Sequence, residues 1–327
     1  MTNTMPPAHW LDKPYYSLNA YLKNTYGHKC YKIALDAHMT CPNRDGTLGS
    51  RGCLFCSAGG SGDFAVSGND IKEQLQAGLA LFGKKQVGRH YIAYFQAYTN
   101  TYAPPEKLRP LYVQALEHPC VCGISIATRP DCLPEPVLRL LAELGRTYPD
   151  KFIWIELGLQ TVHENTAQFL RRGYKLPCFE TAMRKLHMLK IPTIVHVILG
   201  LPGETPRQML ETIDYLNVWR PFGIKLQLLH VLEGTDLAVL YRAQTFAVLE
   251  KEEYLAVLVD CLTHLSPDIV IHRVTGDGPK KLLIAPLWSG NKRDVLNSLH
   301  QKMRLEGAFQ GKNYCCSIPS TPPPPPS

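Results

Sequence analysis

Apolar and polar positions follow two periods along this chain. Short, nearly continuous apolar runs at residues 31–37, 90–96, 122–127, 152–157, 193–199 and 224–230 predict strands of a parallel sheet covered on both faces. Helical patterns lie between them. Leu108, Leu111, Tyr112, Ala115 and Leu116 fall at i, i+3, i+4, i+7 and i+8, which makes one buried stripe. Thr205-Pro206-Arg207-Gln208 supplies an N-cap, a proline at the first helical position and a capping-box glutamine, so a helix should begin there.

Repeated strand–helix units predict an α/β fold, either a doubly wound sheet or a closed or partial barrel, and periodicity does not separate these. In each, ligands gather at the C-terminal ends of the strands. Beyond residue 232 the pattern changes to a helix at 250–265, a strand at 268–274 and the Gly- and Pro-rich stretch 272–292. These divisions predict an N-terminal extension (1–30), a barrel (31–231), a C-terminal lobe (232–312) and a disordered proline-rich tail (313–327).

Composition narrows the class. The chain has 327 residues, 45% apolar and 19% charged, an ordinary globular balance with ample core-forming capacity. No run of eighteen apolar residues occurs, and the N-terminus lacks the layout of a secretory signal, so a cytoplasmic protein with no membrane partner is expected. Eleven cysteines without regular spacing argue against an extracellular disulfide framework. The excess of 35 Lys and Arg over 28 Asp and Glu, +7 in all, is compatible with a polyanionic partner but below the density of a dedicated nucleic-acid binder.

Candidate chemistry sits directly after the first predicted strand, in Cys41-x11-Cys53-x2-Cys56. Thiolates hold iron–sulfur clusters, and a cubane bound by only three leaves one iron open to another ligand. The intervening loop is polar and Gly-rich, unsuited to a core segment. A zinc knuckle is the competing reading; it needs a fourth ligand, for which His38 is available. Cys30, Cys120, Cys122, Cys132, Cys178 and Cys261 read as buried thiols, with no spacing for an auxiliary cluster. Polar residues mark the later strand ends: Thr99-Asn100-Thr101, Thr128-Arg129-Pro130-Asp131, Glu156, Gln160-Thr161, Arg172, and Gly200-Leu201-Pro202-Gly203-Glu204.

Taken together, CPNRDGT, GC, FCS, FQAYTNTYAP, TRPD, ELGLQT, RRGY, HVILGLPGET and IHRVTGDGP resemble radical S-adenosylmethionine (SAM) enzymes of the YhcC/YtqA family. Some of these segments are also similar to the Elongator catalytic subunit and, more loosely, to oxygen-independent coproporphyrinogen oxidases. The resemblance covers about residues 15–303. It implies a partial (β/α)6 barrel of TIM type with a C-terminal α/β extension. It further implies that Cys41, Cys53 and Cys56 hold a [4Fe-4S] cluster whose open iron chelates SAM, so that one electron releases a 5′-deoxyadenosyl radical.

On the same resemblance, Phe55 packs on the adenine side of SAM or anchors the loop. Thr99 or Asn100 replaces the usual Gly-Gly-Glu segment at the SAM amino group. Gln160 reaches the ribose or methionine end, Arg172 (or Arg171) the carboxylate, and Gly200, Pro202 and Gly203 the adenine. Glu156 touches the ribose or pairs with Arg129, and His196 is a core residue, a hydrogen-bond partner of SAM or the catalytic candidate for proton transfer. The implied partners are a one-electron donor such as flavodoxin or ferredoxin and a tRNA whose wobble uridine loses a carboxymethyl group, carboxymethylaminomethyl becoming aminomethyl. Lys280, Lys281, Lys292 and Arg293 would face its phosphates. A small-metabolite substrate and a non-enzymatic zinc or iron–sulfur protein are the alternatives.

Overall fold

The computed structural model describes residues 5–60, 62–66, 68–83, 90–276 and 278–315. Asp277, Cys316 and the tail from residue 316 onward lie outside the described residues. In chain order the elements are α1 (Leu18–Tyr26), β1 (Tyr31–Leu35), α2 (Ile71–Gly83), β2 (Tyr91–Phe95), α3 (Pro105–Leu116), β3 (Val121–Thr128) and α4 (Glu135–Thr147). There follow β4 (Phe152–Gln160), α5 (Glu164–Phe169), α6 (Leu176–Met188), β5 (Thr193–Leu199), α7 (Pro206–Trp219), β6 (Gly223–Leu228) and β7 (Val231–Leu232). The chain continues through α8 (Asp236–Arg242), α9 (Lys251–His264), β8 (Val270–Arg273), β9 (Leu283–Ala285) and α10 (Lys292–Leu305).

The hydrogen-bonded strand order is β1-β2-β3-β4-β5-β6-β8. A doubly wound sheet reverses its order at a switch point, whereas a barrel keeps neighbours in sequence. The order here never reverses, and among the described residues no pairing of β1 with β8 closes it, so the fold is a partial β/α barrel. The strand that the sequence assigned to the C-terminal lobe belongs to this sheet: β8 pairs in parallel with β6, Gly223 opposite Val270.

Two compact units divide the chain. One comprises Thr25–Gly158 and Phe169–Ile194. Its strands pair in parallel with Tyr31 opposite Tyr91 and Ile124 opposite Ile153. Ile33, Leu35, Ile92, Phe95, Ile124, Ile126, Ile155 and Leu157 form its buried centre. Helix α4 shows why the sequence folds this way. Val137, Leu138, Leu141 and Leu144 recur on one face and all are buried, while Glu135, Arg139 and Arg146 are exposed. In α3 the expected stripe is buried except at Leu111, which is half-buried.

The other unit comprises Met1–Asn24, Leu159–Gln168 and Val195–Ser327. Helix α7 begins at the expected cap: Thr205 Oγ1 accepts from the Gln208 backbone N–H (3.3 Å), and Gln208 Oε1 accepts from that of Thr205 (2.9 Å). The free edge of β8 meets the N-terminal segment, where the Ile271 N–H donates to the Tyr16 carbonyl at 2.7 Å. Buried Gln310 then accepts from the Tyr16 N–H and donates to the carbonyls of Ser266 and Ile269. An exposed sheet edge is thereby covered. β7 and β9 form a separate antiparallel pair, Val231 opposite Ala285. Among the described residues no helix is long and apolar enough to cross a membrane.

Candidate active site

Within the first unit, the loop after β1 holds the three cysteines through backbone turns. The Cys41 carbonyl accepts from the Arg44 and Asp45 N–H groups (2.7 and 3.1 Å), the Asn43 carbonyl from Gly52 (2.7 Å), and the Cys53 carbonyl from Cys56 (3.0 Å). The loop is pinned to its neighbours: Leu54 N–H donates to the Leu170 carbonyl (3.0 Å) and Thr99 N–H to the Thr40 carbonyl (3.2 Å). Buried Gln74 locks the end of β1, accepting from the Asp36 N–H and donating to the Asp36 carbonyl, both at 2.8 Å.

Two side chains inside the Cys41–Cys53 interval organise the thiols. Asn43 is buried, and its Nδ2 donates to Cys53 Sγ (3.3 Å) and to the carbonyls of Arg171 (2.8 Å) and Arg172 (3.2 Å). Arg44 donates to the carbonyls of Cys56 (2.9 Å) and Ser57 (2.5 Å). A second cation adds to them: Arg129 forms a two-point pair with Asp131 (2.9 and 2.6 Å), donates to the Arg172 carbonyl (3.0 Å) and lies over the Tyr174 ring. Burial and the neighbouring Cys56 thiol push the Cys53 thiol up to about 11, opposed by the Asn43 hydrogen bond and Arg129. Burial likewise raises Cys56, opposed by Arg44. A metal-bound thiolate must shed that proton, and the nearby cations and amide donor favour the anion.

Gly173 shows how close the packing is. Its φ is +84°, and a Cβ there would stand 2.4 Å from Asn43 Oδ1 and 3.1 Å from Arg129 Nη2. Arg172 is 2% exposed, donates through Nε to the Tyr174 carbonyl (3.0 Å) and lies over the Tyr174 ring. Thr99 and Asn100 are both buried. Asn100 Nδ2 donates to the carbonyls of Phe95 and Ala127 (3.0 and 3.1 Å), which leaves its buried Oδ1 without a hydrogen-bond partner among the described residues. Phe55 is half-buried.

One expectation changes. Arg129 pairs with Asp131, while Glu156, 1% exposed, takes Lys32 (2.8 Å) and Ser125 Oγ (2.6 Å), so the Glu156–Arg129 ion pair does not form. A guanidinium two residues from a carboxylate closes a local fork, whereas Glu156 sits within β4 beside β3, where Ser125 lies. His38, the fourth zinc ligand in the competing reading, has a 61% exposed side chain turned toward Asp36, 3.8 Å away.

In the second unit, Gln160 ends β4 with φ +67°, a left-handed conformation that costs a non-glycine residue energy. Its buried Oε1 also lacks a partner among the described residues. Next to it, buried Thr161 donates to Glu204 Oε1 at 2.5 Å and accepts from the His163 N–H at 3.1 Å. Burial raises the Glu204 carboxyl above its ordinary range. His196 is half-buried within β5. Gly200 and Gly203 take φ +82° and +83° on either side of Pro202, and the Gly200 N–H points to Met209 Sδ (3.3 Å). The turn itself therefore calls for both glycines.

The donor set of the thiol loop suits an iron–sulfur cluster: three half-buried cysteines within a shell of amide and guanidinium donors. The orphaned Asn100 oxygen, an acceptor, suits an ammonium group such as that of SAM. Asn43, Arg44 and Tyr174 were not singled out as site residues from the sequence, and Arg129 only as a polar strand-end residue or a partner of Glu156. Their signal lay inside CPNRDG, TRPD and RRGY, where polar side chains adjoin strand ends.

Comparison with known proteins places these features in context. The radical SAM superfamily model matches residues 46–216, and the radical SAM C-terminal domain model matches residues 221–304. YtqA of Bacillus subtilis (strain 168) is 43% identical over 316 residues, 96% of this chain and 97% of its own length. A tRNA uridine(34) acetyltransferase of Methanocaldococcus jannaschii is 23% identical over 195 residues, 58% of this chain and 34% of its own. Among solved structures, Elp3 of the archaeon Methanocaldococcus infernus superposes with a TM-score of 0.65 at 15% identity, over 86% of this chain and 64% of that one, a likeness of fold.

Proposed function

The chain belongs to the radical SAM superfamily, whose members bind a [4Fe-4S] cluster and SAM, and we propose that Cys41, Cys53 and Cys56 are its cluster ligands. The observation that carries this is the shell around the thiols, in which Asn43 donates to Cys53 Sγ and Arg44 holds the Cys56 carbonyl. When bound, the cluster and SAM supply reductive cleavage of a carbon–sulfur bond. The protein's part is to bind and orient. Asn43 and the guanidinium groups of Arg44 and Arg129 favour thiolate charge at Cys53 and Cys56. With SAM bound, Asn100 Oδ1 would accept from its ammonium group, Thr99 would line the same strand end, Arg172 would hold the carboxylate and Phe55 would pack on the adenine side. For Gln160, His196, Gly200, Pro202 and Gly203, a role toward SAM rests on their sequence motifs, to which Gln160 adds its strained backbone and orphaned oxygen.

The substrate we assign is tRNA, with the C5 side chain of the wobble uridine taken from carboxymethylaminomethyl to aminomethyl. Support comes from the similarity to a tRNA uridine(34) acetyltransferase and from Lys280, Lys281, Lys292 and Arg293, all exposed. Anticodon bases are accessible single-stranded targets. The test is anaerobic reconstitution followed by SAM cleavage with undermodified tRNA and a reduced flavodoxin or ferredoxin. The expected result is 5′-deoxyadenosine formation that depends on tRNA, with the modified uridine changed by mass spectrometry. Cleavage driven by a metabolite pool and not by tRNA would move the substrate to a small molecule. A colourless protein that never cleaves SAM would overturn the enzymatic reading.

A further inference from the structure

At the N-terminal ends of β1, β2 and β3 a second group of metal-ligating side chains converges, all within the first unit. His28 and Cys30 precede β1, His90 precedes β2, and Cys122 is the second residue of β3. By sequence these cysteines are buried thiols with no metal spacing, because they lie 92 residues apart. In the fold, Cys30 Sγ is 3.7 Å from Cys122 Sγ and 3.6 Å from His28 Nδ1. The ligand atoms of His28, Cys30 and Cys122 all lie within 4.8 Å of one another. The His90 ring stacks on that of His28, centroids 3.4 Å apart and planes at 10°.

These separations are those of a tetrahedral zinc site. With Zn–S about 2.3 Å and Zn–N about 2.0–2.1 Å, tetrahedral angles put two sulfurs about 3.8 Å apart and a sulfur and a nitrogen about 3.6 Å apart. A disulfide fits less well. β1 and β3 flank β2, so two strand spacings, roughly 9–10 Å, separate their backbones. A disulfide wants its Cα atoms about 4.4–6.8 Å apart. The two thiols reach over the end of β2 and can share an ion without the backbone moving.

An irregularity in the sheet supplies an independent observation. Tyr91 pairs with Val121 and Ile92 with Gly123, which leaves Cys122 as the extra residue of a bulge. A bulge interrupts the ladder and re-aims a side chain, and this one interrupts it at the residue whose sulfur meets Cys30.

We propose that Cys30, Cys122, His28 and His90 form a Cys2His2 site for a borderline-soft divalent cation, Zn2+, separate from the thiol loop. The three ligands already gathered fix three vertices, and the exposed His90 ring turns to occupy the fourth. Binding releases the two thiol protons to solvent, and no electron is transferred. The ion ties β1, which among the described residues pairs with β2 alone and carries the cluster loop at its other end, to β3 across that neighbour. Its role is to hold the base of the strand from which the loop departs.

The test measures zinc, iron and sulfide together in the full chain purified without chelator. C41S/C53S/C56S should retain about one zinc per chain, and Co2+ added to its metal-free form should give thiolate charge-transfer and intense tetrahedral d–d bands. C30S/C122S should lose the zinc while taking up iron and sulfide. Absence of both zinc and the cobalt bands in C41S/C53S/C56S overturns the proposal, as does a Cys30–Cys122 disulfide in anaerobically purified protein. Should C30S/C122S fail to fold, the cobalt spectrum of C41S/C53S/C56S still decides. Should C41S/C53S/C56S fail to fold, the zinc content of the wild-type chain, its thiol loop filled by iron, decides. Failure of the cluster reading shows in iron and sulfide, so the two readings fall separately.

Discussion

Metal-ligating side chains gather at both ends of the strands β1, β2 and β3, and the two ends are built differently. At the C-terminal end Cys41, Cys53 and Cys56 come from one loop, sixteen residues from first to last, whose turns are closed by local hydrogen bonds such as Arg44 N–H to the Cys41 carbonyl and Cys56 N–H to the Cys53 carbonyl. At the N-terminal end His28, Cys30, His90 and Cys122 come from three strands and meet only because those strands pair. The loop brings an amide donor to Cys53 Sγ and guanidinium charge beside Cys56; the base brings imidazoles. Donors that stabilise thiolates without ligating suit a cluster that leaves an iron open, whereas a filled tetrahedral set suits an ion that does no chemistry.

Variants should separate the two ends, beginning with the largest effect. Replacing any one of Cys41, Cys53 or Cys56 by Ser should reduce SAM cleavage to background, read as 5′-deoxyadenosine after anaerobic reconstitution. Retained cleavage would remove that cysteine from the ligand set. Gly173→Ala should destabilise the fold by about 1–3 kcal/mol in urea unfolding, because it forces a Cβ into a positive-φ position against Asn43 and Arg129. Iron content should fall with it and zinc content should not. Asn43→Ala strands the carbonyls of Arg171 and Arg172 and should cost about 1–3 kcal/mol; an unchanged unfolding midpoint would show that those carbonyls find other partners. Asn100→Asp keeps the side chain's size, but a second acceptor then faces the Phe95 and Ala127 carbonyls. It should raise the SAM KM more than it lowers kcat, and equal effects on both would argue against a ground-state contact. Smallest, Thr205→Ala breaks the α7 capping box in the other unit and should cost about 1 kcal/mol while iron and zinc stay unchanged.

Much of the scaffold could be read from the chain. The run at 90–96 became Tyr91–Phe95 and that at 193–199 became Thr193–Leu199, because strands buried on both faces leave an uninterrupted apolar signature. The Thr205 cap was equally legible, since capping depends on residues three apart. Side-chain partnerships across strands were not. Glu156 could have faced Arg129 or a ligand, and only the pairing of β3 with β4 and the reach of Lys32 settled it. The membership of β8 in the main sheet was likewise invisible, because its partner β6 lies more than forty residues upstream.

The sequence alone determined where the strands lie, that a polar loop of three cysteines follows the first of them, and that polar residues mark the later strand ends, since each of these depends on residues close together along the chain. Only the tertiary structure decided between barrel and doubly wound order, gave Arg129 to Asp131 and Glu156 to Lys32, and drew His28, Cys30 and Cys122 together. Those outcomes depend on register, on a single bulge at Cys122 and on which strand ends become neighbours, and such quantities exist only once the sheet has formed.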